Sequence, residues 1–206
     1  MDKNLSLFGL SIALIGLLQS CNTVEYGLSL DNVSKPMYID VPYSTDKEIY
    51  NYSHEQLYSV FEDDIISVSW QYYPTNFAFR LKNLSPNTII INWSNAIYVD
   101  VEGNSHPIAH NGHYYTNDSD YEYYSRIPSN GTLDDIIVPS NGAYYENYQI
   151  GRGLSLLPTY FGLYSNKMKI IAPTYLGNKV RIVLPIIIDG YENEYNFEFV
   201  IDSWTD

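Results

Sequence analysis

The chain has 206 residues, and its 24 acidic side chains outnumber 11 Lys and Arg, which gives a formal net charge of −13 at pH 7. A surface this acidic argues against nucleic acid and against anionic lipid as partners. The single cysteine excludes an intrachain disulfide, so the fold has to be stabilised by packing alone.

The first predicted element is an export signal. Residues 5–18 form an apolar run after a short polar start, a pattern typical of a secretory signal and too short for a spanning helix. The run closes with Leu18-Gln19-Ser20-Cys21, which resembles the lipobox of bacterial lipoproteins. The resemblance implies cleavage after Ser20 and acylation of Cys21, with palmitate as a usable label. An ordinary signal peptide with an incidental cysteine is the alternative, and it would leave an unusual free thiol in an exported chain.

This signal divides the chain into three predicted parts. Residues 1–20 are expected to be removed, residues 21–34 to form a lipidated tether, and residues 35–206 to form one domain. That length suits a single domain with a real core and is short for two. No other apolar run approaches spanning length, so we expect the mature protein to sit on a membrane through its lipid anchor.

Alternation of apolar and polar residues predicts strands through most of the domain. It is clear in residues 65–72 and 76–83, whereas residues 50–62 are ambiguous and allow one helical turn. The strongest signal is a hairpin, because Asp189-Gly190 separates two alternating runs. Further strands are predicted at residues 37–41, 88–93, 96–101, 105–109, 136–138, 143–149 and 167–172.

About ten short strands separated by turns predict an all-β fold. We expect an immunoglobulin-like β-sandwich, with a β-barrel as the alternative. The apolar phase of the alternation predicts five inward-facing core residues, which are Trp70, Phe79, Trp93, Val183 and Phe199.

The central part of the chain carries a family resemblance. Its motifs are FAFRLKN at residues 77–83, LSPN at 84–87, TIIINWS at 88–94 and AIYVDVEG at 96–103, followed by Ser-His, His-x-Gly, IPSNG at 127–131 and IVP at 137–139. Together they resemble a family of predicted lipoproteins from Bacteroides-type bacteria. The resemblance covers about residues 65–200 and implies a β-sandwich on an envelope lipoprotein. It implies no activity, ligand or catalytic residue.

Three of the four histidines cluster as His106, His110 and His113. Imidazole is the commonest transition-metal ligand, and three could hold Zn²⁺ with an open position. The acidic residues 117–122 follow and could add carboxylate ligands or hold Ca²⁺, although Tyr123 stands where a helix-loop-helix calcium loop needs glycine. The alternative is a solvated loop whose histidines bind no metal.

Residues 110–130 form a long polar stretch without periodicity, and connections of this length are often functional. The chain contains 22 Tyr against 7 Phe and 3 Trp, and this stretch is its densest aromatic segment. Tyrosine offers an apolar face and a hydroxyl, which suit sugar rings and protein partners. The alternative is that about half of these rings pack back onto the sheet. We expect residues 110–124 to form a recognition loop, whose candidate ligand-binding residues are Tyr114, Tyr115, Tyr121, Tyr123 and Tyr124.

Catalytic signatures are absent from the sequence, which has no Gly-x-Ser-x-Gly, no His-Glu-x-x-His and no phosphate-binding glycine loop. We therefore expect a non-enzymatic lipoprotein of the bacterial cell envelope, on the outer membrane, that binds or supports another protein. A glycan-binding lipoprotein of a nutrient-capture system is the second interpretation, and a metal-dependent hydrolase is the third.

Overall fold

The computed structural model describes residues 24–34, 48–54, 56–111, 124–140, 145–146, 149–150, 156–157 and 169–205. Among these residues, two short 3₁₀ turns, Trp93–Asn95 and Ala172–Tyr175, accompany the strands. The strands are β1 (Glu25–Ser34), β2 (Glu48–His54), β3 (Gln56–Glu62), β4 (Ile66–Tyr73), β5 (Asn76–Asn83), β6 (Ile89–Asn92), β7 (Ile97–Val99), β8 (Ser105–His110), β9 (Tyr124–Ile127), β10 (Thr132–Pro139), β11 (Tyr145–Glu146), β12 (Gln149–Ile150), β13 (Lys179–Ile188) and β14 (Tyr191–Thr205).

Twelve of these strands join in one antiparallel sheet, in the order β1-β14-β13-β7-β8-β10-β5-β4-β3-β2, with β6 beside β13 and β9 beside β6. The sheet bends into two layers at β8, because residues 105–107 pair with β7 whereas residues 108–110 pair with β10. The first layer contains β1, β14, β13, β7, β6 and β9, and the second layer contains β10, β5, β4, β3 and β2. At the far side β1 approaches β3, where the N–H of Leu30 donates to Ser59 Oγ at 3.1 Å. The predicted all-β class is confirmed, and the sheet is nearly barrel-shaped, so the alternative of a β-barrel is also consistent with it.

The core lies between the two layers and is rich in aromatic rings. Trp70 of β4 meets Phe197 and Phe199 of β14, with ring centroids 5.1 Å and 5.7 Å apart. The prediction that Trp70, Phe79, Trp93 and Phe199 point inward is confirmed, since all four are buried in the main apolar cluster. Aromatic contacts across the layers therefore hold the two faces together.

Val183 is the exception among the predicted core residues. It is buried, but it lies outside the main cluster. The inward phase of β13 contains Val180, Ile182 and Leu184 instead. All residues from Ile182 to Ile186 are buried, so the sequence of β13 is a nearly continuous apolar run. Such a run does not show which alternate side chains face the core.

The predicted tether is wrong over most of its length. Glu25–Ser34 forms β1, which pairs with β14 along its whole length. Tyr26, Leu28 and Leu30 are buried in the main cluster. Alternating apolar side chains next to a fifteen-residue partner strand gain more from burial than from extending into water. The folded body therefore includes residues 24–34, which the prediction assigned to the tether.

Of the other local predictions, some are confirmed and others are wrong. The hairpin at Asp189-Gly190 is confirmed, with φ of 52° and 83° at the two turn residues and Ile188 paired with Tyr191. The helical turn allowed within residues 50–62 is wrong, because β2 and β3 form a tight hairpin there. The strand predicted at residues 167–172 is also wrong where it is described, since residues 169–171 are helical and a 3₁₀ turn begins at Ala172. The strand predicted at residues 37–41 lies outside the described residues.

Two buried polar groups connect the layers and their turns. The Tyr195 hydroxyl on β14 donates to Asp63 Oδ2 at 3.0 Å, while Asp63 Oδ1 accepts the N–H groups of Ile65 and Ile66. Asn83 at the end of β5 donates to two backbone carbonyls, at 2.7 Å and 3.0 Å, and accepts two bonds from Ser85. Both groups satisfy turn atoms that would otherwise be buried without partners.

Candidate functional site

The two ends of the predicted recognition loop meet on one tryptophan. Trp93 is 4% exposed, and its ring stacks on His110 with centroids 4.1 Å apart and planes 12° from parallel. Its Nε1–H donates to Ser125 Oγ at 2.8 Å. His110 and Ser125 flank residues 112–123, which lie outside the described residues. Trp93 therefore contacts the chain on both sides of these residues.

Asp135 of β10 fixes the first of these ends. Its carboxylate is 7% exposed, and Oδ2 lies 2.9 Å from His110 Nδ1. Oδ1 accepts the backbone N–H groups of Asn111 at 3.0 Å and Ile136 at 2.7 Å. An aspartate in this position orients an imidazole ring, as catalytic dyads do. The oriented ring of His110 also stacks on Trp93. Asp135 therefore positions the backbone at Asn111 and Ile136 as well as the imidazole of His110.

His106 lies at the other end of β8 with a different carboxylate. His106 Nε2 is 2.9 Å from Asp100 Oδ2, and Asp100 Oδ1 accepts the N–H groups of Glu102 and Asn104. Burial raises the pKa of Asp100, but hydrogen bonds from His106 and Asn104 outweigh it and hold that pKa below its usual range. This carboxylate closes the turn between β7 and β8.

The predicted metal ligands are therefore only partly placed. His106 and His110 each contact their own aspartate, and His113 lies outside the described residues. Within the described ranges, no group of three or more His, Cys, Asp or Glu side chains is arranged to hold a metal ion. The zinc and calcium hypotheses stay predictions.

A groove opens on the outer face of the second layer, next to Asp135. Strand register aligns Tyr58, Gln71, Ala78 and Ile136 in one row across β3, β4, β5 and β10. Four strands at the usual spacing put the ends of this row roughly 14 Å apart. The small side chain of Ala78 lies between larger neighbours, so the sheet surface has a depression at the middle of this row. The resulting groove has a volume of about 510 Å³.

The neighbouring row supplies the polar groups of the groove. Arg80 and Asp134 form a two-point ion pair, Nε to Oδ1 at 2.6 Å and Nη2 to Oδ2 at 3.0 Å. The hydrogen bond from Arg80 holds the pKa of Asp134 below its usual range, so this carboxylate stays ionised at neutral pH. Ser69 and Gln71 also line the groove, and their side chains make no hydrogen bond to any residue that the structure describes.

Asn111 links the groove to the predicted loop. It lines the groove and is the last described residue before the gap at residues 112–123. Tyr124, the only candidate tyrosine among the described residues, starts β9 and is 39% exposed. The other candidates, Tyr114, Tyr115, Tyr121 and Tyr123, lie outside the described residues, as does Cys21.

Sequence reasoning missed the groove and found only its neighbourhood. A signal was present in β4 and β5, where the outward phase contains the small or polar residues Ser69, Gln71 and Ala78. Such a phase predicts a solvated face equally well. Only the register of four strands shows that these side chains share one depression with Asp134 and Tyr58.

Comparison of the chain with protein-family models, with curated proteins and with solved structures gives no match. Among the residues that the structure describes, no helix is long and apolar enough to span a membrane.

Proposed function

We propose that this protein is a non-enzymatic binding module of the bacterial cell envelope, held on the outer membrane by lipid on Cys21. The observation that supports binding most directly is the groove on the outer face of the second layer. Its lining is built on paired strands, which keeps its side chains in place before a ligand arrives. Its volume lies within the range of small-ligand sites.

Binding is favoured over catalysis because the ionisable groups around the groove are already engaged. Arg80 and Asp134 neutralise each other, and Asp135 holds His110 and two backbone N–H groups. A general acid or base needs a proton site within reach of a substrate. A metal-dependent hydrolase would further need His113 beside His106 and His110, two side chains that pair with different carboxylates.

The membrane part of the proposal rests on the sequence Leu18-Gln19-Ser20-Cys21. Cys21→Ala should abolish incorporation of labelled palmitate and leave the signal uncleaved. Ser20→Ala is the matched control, because it keeps a small residue before the cysteine and should still be labelled. Palmitate incorporation into Cys21→Ala would contradict the lipid anchor.

The binding part is tested by filling the groove. Ala78→Tyr places a ring on its floor, whereas Thr132→Tyr adds the same ring to an exposed strand position outside it. Both variants and the parent would be used to capture protein and polysaccharide fractions of an envelope extract. Components that the parent and Thr132→Tyr retain, and Ala78→Tyr does not, would support the proposal. Identical capture by all three would contradict it.

The predicted recognition loop is a second surface of the same proposal, since the chain enters it from Asn111 at the edge of the groove. Changing the five candidate tyrosines to Ser should weaken the same captured interaction. Unchanged capture by a folded variant would remove the loop from the site and leave the groove alone.

A further inference from the structure

The groove on the outer face of the second layer also indicates what kind of ligand it takes, an inference that rests on the proposed function. We propose that the groove binds a short segment of a neutral glycan. One sugar ring lies against Tyr58, and hydroxyl groups bond to Gln71, Asn111 and the Arg80–Asp134 pair.

Charge argues for a neutral ligand. Among the described residues that line the groove, Arg80 is the one cation, and Asp134 neutralises it through two hydrogen bonds. Asp135 adds a further negative charge behind the groove, and the whole chain carries −13. An anionic glycan or an acidic peptide would therefore be repelled. A cationic ligand would have to compete with Arg80 for the Asp134 carboxylate.

Backbone pairing argues for a glycan rather than a peptide. The floor of the groove belongs to β4 and β5, and each of these strands is paired on both sides. Their N–H and C=O groups are thus engaged and cannot form the main-chain bonds by which a sheet recognises an extended peptide. A peptide lying here would lose water from its amides without replacement. A sugar needs only side-chain partners for its hydroxyls.

The side chains of the lining fit those hydroxyls. A hydroxyl group both donates and accepts, and the groove offers acceptors on Asp134, donors on Arg80 and groups of both kinds on Gln71 and Asn111. The side chains of Gln71 and Asn111 make no hydrogen bond to any described residue. Tyr58 is 39% exposed at one wall of the groove, where its ring adds an apolar surface for the faces of the sugar.

The test uses the purified full-length chain and neutral oligosaccharides prepared from glucan, mannan, galactan and xylan. Binding would be measured by calorimetry for the parent, Tyr58→Ala, Ala78→Tyr and the matched control Thr132→Tyr. We expect at least one neutral oligosaccharide to bind the parent and Thr132→Tyr equally. Tyr58→Ala should bind it about tenfold more weakly, the scale of one aromatic contact, and Ala78→Tyr should not bind it measurably.

Two further arms separate the ligand class from the proposed function. Sulfated oligosaccharides and extended peptides would be titrated in parallel. Binding of either at the groove, with none of the neutral sugars, would overturn the glycan assignment while the proposed binding function stands. No binding of any neutral oligosaccharide, or equal binding by Ala78→Tyr and Thr132→Tyr, would also overturn it.

Amide chemical shifts of the parent make the test independent of how the variants fold. A bound neutral oligosaccharide should shift the amide signals of Ser69, Gln71, Ala78 and Arg80. Shifts confined to other parts of the molecule would place the sugar elsewhere and refute the inference.

Discussion

The substitution Tyr195→Phe should show how much one hydrogen bond between the two layers contributes to the free energy of unfolding. Tyr195 is fully buried, and its hydroxyl donates to Asp63 Oδ2 at 3.0 Å from the opposite layer. Tyr195→Phe keeps the ring contacts with Phe61 and Phe197 and removes this bond. A hydrogen bond to a charged group contributes about 1.5–3 kcal/mol. We therefore expect the free energy of unfolding to fall by about 2 kcal/mol.

Urea denaturation of the parent and the variant checks this value. The midpoint should fall while the slope with denaturant stays the same, since the native surface is unchanged. Tyr191→Phe on the same strand is the matched control, because Tyr191 is 61% exposed and its hydroxyl should contribute less than about 0.5 kcal/mol. Equal stability of the two variants would show that the bond between the layers contributes nothing. Asp63→Asn combined with Tyr195→Phe would isolate the pairwise coupling.

Three further predictions concern the core, one turn and the response to alkali. Phe79→Ala should cost about 3–5 kcal/mol in urea denaturation, with Lys82→Ala near zero; a small loss at Phe79 would mean that its burial is not stabilising. Asn83→Ala should cost about 3 kcal/mol, because several turn atoms lose their partner at once, and a parent-like midpoint would contradict this. Burial raises the pKa values of Tyr72 and Tyr98 above their usual range. Because the folded pKa exceeds the unfolded one, the contribution of these tyrosines to the free energy of unfolding should be fully present below about pH 10 and should decrease above it. Thermal unfolding between pH 8 and about 11 should show this fall, and Tyr98→Phe should reduce it; a parent curve that stays flat would contradict the reasoning.

The sequence predicted those strands whose two faces differ. β4 and β5 have one buried face and one polar face, so a period of two was visible. β13 is buried on both phases over much of its length, and the wrong phase was chosen for Val183. β1 was missed although Tyr26, Leu28 and Leu30 alternate, because the register shift between Leu30 and Asn32 ends the alternation after this short run.

The site was predictable only where it depends on neighbours in sequence. The long polar stretch and its histidines were recognised, but their partners come from other strands. Asp135 reaches His110 across 25 positions, and Trp93 reaches Ser125 across 32. The groove needs Tyr58 and Asp134 on strands that are distant in the chain. Such contacts follow from tertiary register, which single-sequence periodicity does not contain.

The pairing of Glu25 with Thr205 has a consequence for how the body stands on a bilayer. With lipid on Cys21, only residues 22–24 would separate the anchor from β1, and three extended residues span at most about 10 Å. The pole that contains Glu25 would then rest against the headgroups, and a tag fused after Thr205 would be held there too. The turn at Asp189-Gly190, at the other end of β14, would lie away from this pole. It is the position at which an inserted epitope should reach antibodies outside the cell, provided that the lipid lies in the outer leaflet.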